Sequence, residues 1–154
     1  MALFTKILVP TDFSEHAGEA IAYAAAISQK YDAPVVILHV YASPVIPVPD
    51  GYVIVAASEL ADLRNRLADG LEREKGRATA AGAKGVETVM AEGTAWEQIV
   101  HTAKDKACDL IVMGTHGRTG LSHLILGSTA EKVVRKAGAV PVLTVGPRVV
   151  KQHG

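Results

Sequence analysis

Residues 114–128 read GTHGRTGLSHLILGS, and the fold turns on how this stretch is read. Glycine recurs at 114, 117, 120 and 127, and the one full charge is the positive one of Arg118. DLIVM (109–113) precedes it as a buried strand, and a segment with helical spacing begins at Ser128. A loop from the carboxyl end of a strand to the amino end of a helix is where open α/β sheets bind ligands. The helix start presents unpaired amides and the positive end of its dipole, which together suit an anion such as phosphate. Gly127 leaves room for a phosphate to approach, while Gly114 and Gly117 let the chain turn off the strand and expose its amides. His116, Arg118 and His123 can add positive charge, reliably so only for the arginine at neutral pH. No acidic residue lies between 114 and 128. These residues read as a phosphate cradle; the plainer alternative is a tight turn and a surface loop whose glycines serve geometry alone.

Working outward, apolar runs alternate with helical periodicity along the whole chain. FTKILVP (4–10) is the first strand, and a helix is expected from Ser14 to about Tyr31. PVVILHVY (34–41) is a continuous apolar run, as a strand covered on both faces requires. Pro44, Pro47 and Pro49 mark a loop that can hold neither helix nor central strand. Leu60, Leu63, Leu67 and Leu71 predict a long charged helix ending near Gly82 and Gly85. VETVMA (86–91) is shorter and more polar, which suggests an edge strand. TAWE at Thr94 and STAE at Ser128 read as capping boxes opening two further helices. Their expected apolar stripes are Trp96, Ile99, Val100, Ala103 and Ala107, then Ala130, Val133, Val134 and Ala137. VPVLTV (140–145) is the fifth strand. The βαβαβαβαβ pattern predicts one open parallel sheet of five strands with helices on both faces. A single domain over residues 1–147 and a tail over 148–154 complete the organisation.

Composition excludes several function classes. Sixteen basic residues balance sixteen acidic ones, which argues against broad capture of nucleic acid or anionic membrane. Cys108 is the single cysteine, so neither an internal disulfide nor a cysteine-rich zinc site is expected. No apolar run reaches the ~20 residues of a membrane span, and the start MALFTKILVP reads as a strand rather than a signal peptide. The expected location is the cytoplasm. His16 and His39 read as structural residues and Cys108 as a buried, inert thiol. His116 and His123, without carboxylate neighbours, make a weak metal site.

The chain has neither G-x-x-x-x-G-K-[ST] nor G-x-G-x-x-G. Gly114, Gly117, Gly127 and Ser128 instead match G-x2-G-x9-G-[ST], and in this the sequence resembles the ATP-binding branch of the universal stress protein family. ILVPTDFSEHA looks like that family's first strand and turn, and the segment from Gly114 to Val145 looks like its last third. The resemblance implies the sheet order 3-2-1-4-5 and a crevice between the first and fourth strands. It places ATP there, with Mg²⁺. Pro10, Thr11 and Asp12 would border the nucleotide, with Asp12 near the ribose or a phosphate-bound metal, or else simply capping the first helix. Val40 would meet the adenine through its backbone, Met113 and Gly114 would flank the sugar, and Gly117, Gly127, Ser128 and Thr129 would hold phosphates. Arg118 is a further phosphate contact, beside His116. The function so implied is regulatory, in a stress response, with at most slow turnover. The competing reading is a slow hydrolase or phosphotransferase that uses Asp12 and Mg²⁺. A phospho-acceptor receiver domain needs acidic residues and a lysine that PTDF, MAEG and TVGP do not supply. The uncharged strand 140–145, at the sheet edge in that order, is expected to pair with a second copy to form a homodimer.

Overall fold

The computed structural model describes residues 3–116 and 126–146. Its elements run β1 (Ile7–Pro10), α1 (Glu15–Tyr31), β2 (Pro34–Tyr41), β3 (Val45–Val48), β4 (Gly51–Ile54), α2 (Ala57–Ala80), β5 (Lys84–Glu92), α3 (Ala95–Asp105), β6 (Leu110–Gly114), α4 (Ser128–Lys136) and β7 (Val142–Val145). The main sheet has the order β5-β2-β1-β6-β7, every pair parallel. That is 3-2-1-4-5 when the two strands of the separate hairpin are left uncounted. The α/β class and the five-stranded parallel sheet are therefore as the sequence predicts, with β5 and β7 at the edges.

Alternation along the central strands builds two cores. Ile7, Val9, Val35, Ile37, Leu110 and Val112 point to one face, where Ala20, Ile21 and Ala24 of α1 and Leu71 and Ala78 of α2 cover them. Leu8, Val36, Leu38, Ile111 and Met113 point to the other, under Ile99 and Ala103 of α3 and Ala130 and Val133 of α4. Two polar side chains tie the layers together. Ser28, buried near the end of α1, donates to the Ala33 carbonyl at 2.6 Å and accepts from the Lys84 amide at 2.8 Å. One residue thereby fixes the starts of β2 and β5. Asp109 accepts from the Thr5 amide (2.9 Å), the Thr5 hydroxyl (2.7 Å) and the Lys6 amide (3.1 Å), and its own amide donates to the Lys6 carbonyl. It clamps the amino ends of β1 and β6 together.

Several local expectations are corrected. The first strand begins at Ile7 rather than Phe4, because residue 5 is committed to Asp109; Phe4 packs edge-on against Tyr31. The proline segment is not a loop but an antiparallel hairpin, β3 against β4, forming a second sheet. Pro47 is tolerated because a two-stranded sheet is all edge, and Pro49-Asp50-Gly51 supplies the turn. All eight strand residues of the hairpin are exposed. Neither expected capping box forms. Thr94 is the N-cap of α3 without a side-chain bond, its carbonyl closing the first turn with the Gln98 amide. In α4 the N-cap is Gly127, which moves Ser128 into the first helical position, past the place from which a hydroxyl caps. Val134 is 48% exposed rather than buried, and Ala107 lies beyond α3 at φ 55. The fifth strand begins at Val142, since Val140 still bonds back to Ala137. Among the described residues no helix is long and apolar enough to cross a membrane.

The Asp109 clamp has a pH signature. Burial pushes its carboxyl upward, but the bonds from Thr5 and Lys6 together push further, leaving it below the ordinary 3.8. Asp109→Asn should cost about 1–2 kcal/mol, near the low end for charged hydrogen bonds because solvent reaches the site. With the folded value depressed, the contribution is whole above the unfolded-state value and lost as pH falls through the folded one. Urea midpoints of wild type and Asp109→Asn should therefore differ at pH 7 and converge as pH drops below 3.8.

Candidate functional site

β1 and β6 are hydrogen-bonded neighbours at Ile7↔Leu110 and Leu8↔Ile111, after which their paths part. β1 continues beside β2 as far as Pro10↔Leu38, and β6 continues beside β7 as far as Gly114↔Val145. A crevice of about 330 Å³ opens above the carboxyl ends of these strands, within the range of small-molecule sites. Pro10, Thr11 and Asp12 form one side, and Met113, Gly114 and His116 face them from β6 and its turn. Val40 closes the β2 side, and Gly127, Ser128 and Thr129 bring the amino end of α4. The ten predicted site residues within the described chain thus line one crevice, brought together from four separate segments. Gly117 and Arg118, and with them His123, lie outside the described residues.

Sequence reasoning missed the rest of the lining. Ala95 and Ile99 show that the first turn of α3 also reaches the crevice, opposite the amino end of α4. Leu38, Ala17 and Ala130 extend its apolar wall, and Thr115 and His39 add polar atoms. The start of α3 at Thr94 was legible. Its reach across the sheet follows from the crossover between the edge strand β5 and β6.

Two glycines work differently from the expectation. A Cβ on Gly127 would lie 2.7 Å from the Thr115 carbonyl oxygen, the same atom that accepts the Gly127 amide at 2.7 Å. A Cβ on Gly114 would meet the backbone oxygen and Cβ of His16, each at 3.3 Å. Gly127 therefore lets the start of α4 lie against the turn after β6, and Gly114 lets α1 lie against β6. Their first task is backbone packing; room for a ligand is a consequence.

The turn after β1 is held at every residue. The Thr11 amide donates to the Leu38 carbonyl at 2.8 Å, and the Thr11 carbonyl accepts from His39 Nδ1 at 2.7 Å, which fixes the proton on Nδ1. The Phe13 amide donates to Thr11 Oγ1 and the Ser14 amide to Asp12 Oδ1, both at 3.0 Å. Ser14, not Asp12, caps α1, its hydroxyl accepting from the Ala17 amide. Asp12 closes the turn instead and remains on the crevice wall. Phe13 sits at φ 66, a conformation that costs a non-glycine residue about 1–3 kcal/mol. His39 is structural as expected, and it also faces the crevice. The His16 and His116 rings lie 6.1 Å apart, tilted by 54°, and Thr115 Oγ1 lies 2.9 Å from His116 Nδ1. Among the described residues no three His, Cys, Asp or Glu side chains could jointly hold a metal. Cys108 is buried away from the site, and burial pushes its thiol up to about 11; it is no nucleophile at neutral pH.

The universal stress protein family model matches residues 3–146. Among curated relatives, universal stress protein MJ0531 of Methanocaldococcus jannaschii is 40% identical over 144 residues, covering 93% of this chain and 82% of its own. UspA from Lactobacillus plantarum superposes with a TM-score of 0.78 at 26% identity, over 94% of this chain and 99% of that one. A universal stress protein from Archaeoglobus fulgidus, solved in complex with dAMP, shares the fold at a TM-score of 0.65 and 21% identity, over 94% and 98%.

The packing role of Gly127 is directly testable. Gly127→Ala should lower unfolding stability by about 1–3 kcal/mol, the usual cost of overpacking, because a carbonyl oxygen cannot yield as a side-chain end can. Chemical denaturation reads this without any ligand; a Gly127→Ala protein as stable as wild type would contradict it.

Proposed function

The chain belongs to the universal stress protein family, and on that footing we propose that it binds ATP in the crevice between β1 and β6 as a regulatory, stress-response module. The observation that carries this reading is the amino end of α4 on the crevice wall without a side-chain cap. Its first-turn amides and the positive end of its dipole suit phosphate oxygens. Leu38, Val40, Ala95, Ile99 and Met113 make an apolar wall suited to a flat base, with Val40 meeting the adenine through its backbone. Gly114 lies where the sugar would pass, and Ser128 and Thr129 add hydroxyls for the phosphates. Gly117, Arg118 and His116 complete the phosphate side in this reading.

Asp12 is the one acidic residue on the described walls. Asp12 would be the side chain to hold a nucleotide-bound Mg²⁺, which would neutralise phosphate charge there, since the described walls offer no protein cage for a metal of their own. Hydrolysis further requires a group that orients water. The described walls offer Asp12, already accepting the Ser14 amide, His39, already committed to Thr11, and His116, already engaged with the Thr115 hydroxyl. We therefore read turnover as slow, below the ~1–10³ s⁻¹ of ordinary enzymes.

Thr129→Asp separates fold from function. A carboxylate in the first turn favours the helix but repels phosphate. It should raise the calorimetric Kd for ATP by about 10–100-fold, or ~1.4–2.8 kcal/mol, without lowering the melting temperature. Undiminished affinity sinks the phosphate assignment. Mass spectrometry of the ligand released from fresh protein identifies the nucleotide. A steady-state assay on the same samples that showed fast turnover, lost in Asp12→Asn, would favour the hydrolase or phosphotransferase.

The edge strand β7 supports a second reading, a homodimer formed across residues 140–145. β7 is uncharged, and Leu143 is 37% exposed whereas Val145 is 6% exposed and part of the core. An edge of this kind favours antiparallel pairing with a second copy about a two-fold axis. Leu143→Lys should therefore give monomers by light scattering, where wild type gives dimers at micromolar concentration. A monomeric wild type would refute the pairing.

A further inference from the structure

Among the residues that contradict their local preferences, two meet. Phe13 takes a left-handed conformation, φ 66, that suits glycine. Gly70 stands inside the 24-residue helix α2, where glycine is the poorest former apart from proline. A Cβ on Gly70 would lie 2.9 Å from Cε1 and 3.0 Å from Cζ of Phe13, so the ring occupies the space a side chain at position 70 would need. The ring also packs on His39, centroids 4.5 Å apart and tilted by 33°. His39 in turn holds the Thr11 carbonyl, and the Phe13 amide holds the Thr11 hydroxyl. Thr11 and Asp12, the two residues before Phe13, line the crevice; among the described residues α2 contributes nothing to it.

We propose that Phe13 is a positioning residue for the crevice, and that α2, through the gap at Gly70, sets how firmly Thr11 and Asp12 are presented to a bound nucleotide. The logic is mechanical. Left to itself the turn relaxes toward negative φ, which swings the carboxylate of Asp12 and undoes the bonds at Phe13 and Ser14. The seat between Gly70 and His39 holds the ring, and through it the strained turn. Two broken local rules that compensate each other next to a site are what a preorganised site requires. The inference rests on the nucleotide reading above for its ligand, though not for its geometry.

The test is Gly70→Ala, which puts a methyl group against the ring while improving helix propensity. ATP titration calorimetry should show a Kd raised about tenfold, with the melting temperature within about 5 °C of wild type. Adding Phe13→Leu to that variant, whose shorter side chain leaves room for the methyl, should recover most of the affinity. Hydrogen exchange of the Phe13 and Ser14 amides should quicken in Gly70→Ala and slow again in the double variant. Unchanged affinity, or a loss that only follows lost stability, overturns the proposal. If wild type binds no adenine nucleotide, the functional reading falls. The brace is then judged on exchange alone: quickening upholds it, and wild-type rates overturn it.

Discussion

The two-residue ladder between β1 and β6 is the constraint on which the rest of the molecule depends. Parallel strands need crossover connections, and a right-handed crossover carries the chain to one side of the starting strand. From β1 the chain first works outward to β2 and β5, then returns past β1 to lay down β6 and β7. β1 and β6 are therefore neighbours whose following turns lead away from one another, to α1 on one face and α4 on the other. Paired at Ile7 and Leu8 and parted beyond, they leave a gap at their carboxyl ends. Asp109 holds the opposite ends closed. The crevice follows from topology before any residue in it is considered.

What makes the gap a site is how closely backbone approaches backbone around it. At Gly127 the start of α4 lies on the Thr115 carbonyl, and at Gly114 the strand lies on the backbone of α1. Neither contact survives a Cβ without movement. The same economy of space recurs at Gly70, where the absent side chain belongs to a helix outside the crevice and the intruding one, Phe13, directly follows two residues of its wall. Close approach puts the amino ends of α3 and α4 within one small volume, so that the described walls carry dipoles and hydroxyls and a single carboxylate. Of the polar side chains on these walls, Thr11, Asp12 and His39 fix the turn after β1.

Membership of the universal stress protein family accords with this arrangement. The family likeness spans residues 3–146 and so includes the hairpin of β3 and β4, which forms a sheet of its own. Every strand residue of that hairpin is exposed, so its order comes from its turn and its own ladder, not from the core.

The sequence by itself determined the elements and their faces. Continuous apolar runs at 34–41 and 109–113 could only be strands covered on both sides, and the polar alternation at 86–91 belonged to an edge. It also marked the loop from Gly114 to Ser128 as a site, because glycines and a helix start after a buried strand mark the carboxyl edge of an α/β sheet, whereas Pro10 to Asp12, Val40 and Met113 joined it only through the family resemblance. The tertiary structure alone decided what those residues do. Periodicity carries no record of backbone-to-backbone distance, so the close approach of Gly127 to the Thr115 carbonyl could not be read from the sequence. A capping box in sequence fixes neither the helix start nor the bond, and at Ser128 the start had moved one residue earlier. The hairpin was hidden because prolines argue against central strands and say little of edges. The first turn of α3, the seat of Phe13 and the proton on His39 Nδ1 depend on contacts between segments tens of residues apart. Such contacts exist only once the crossovers have been made.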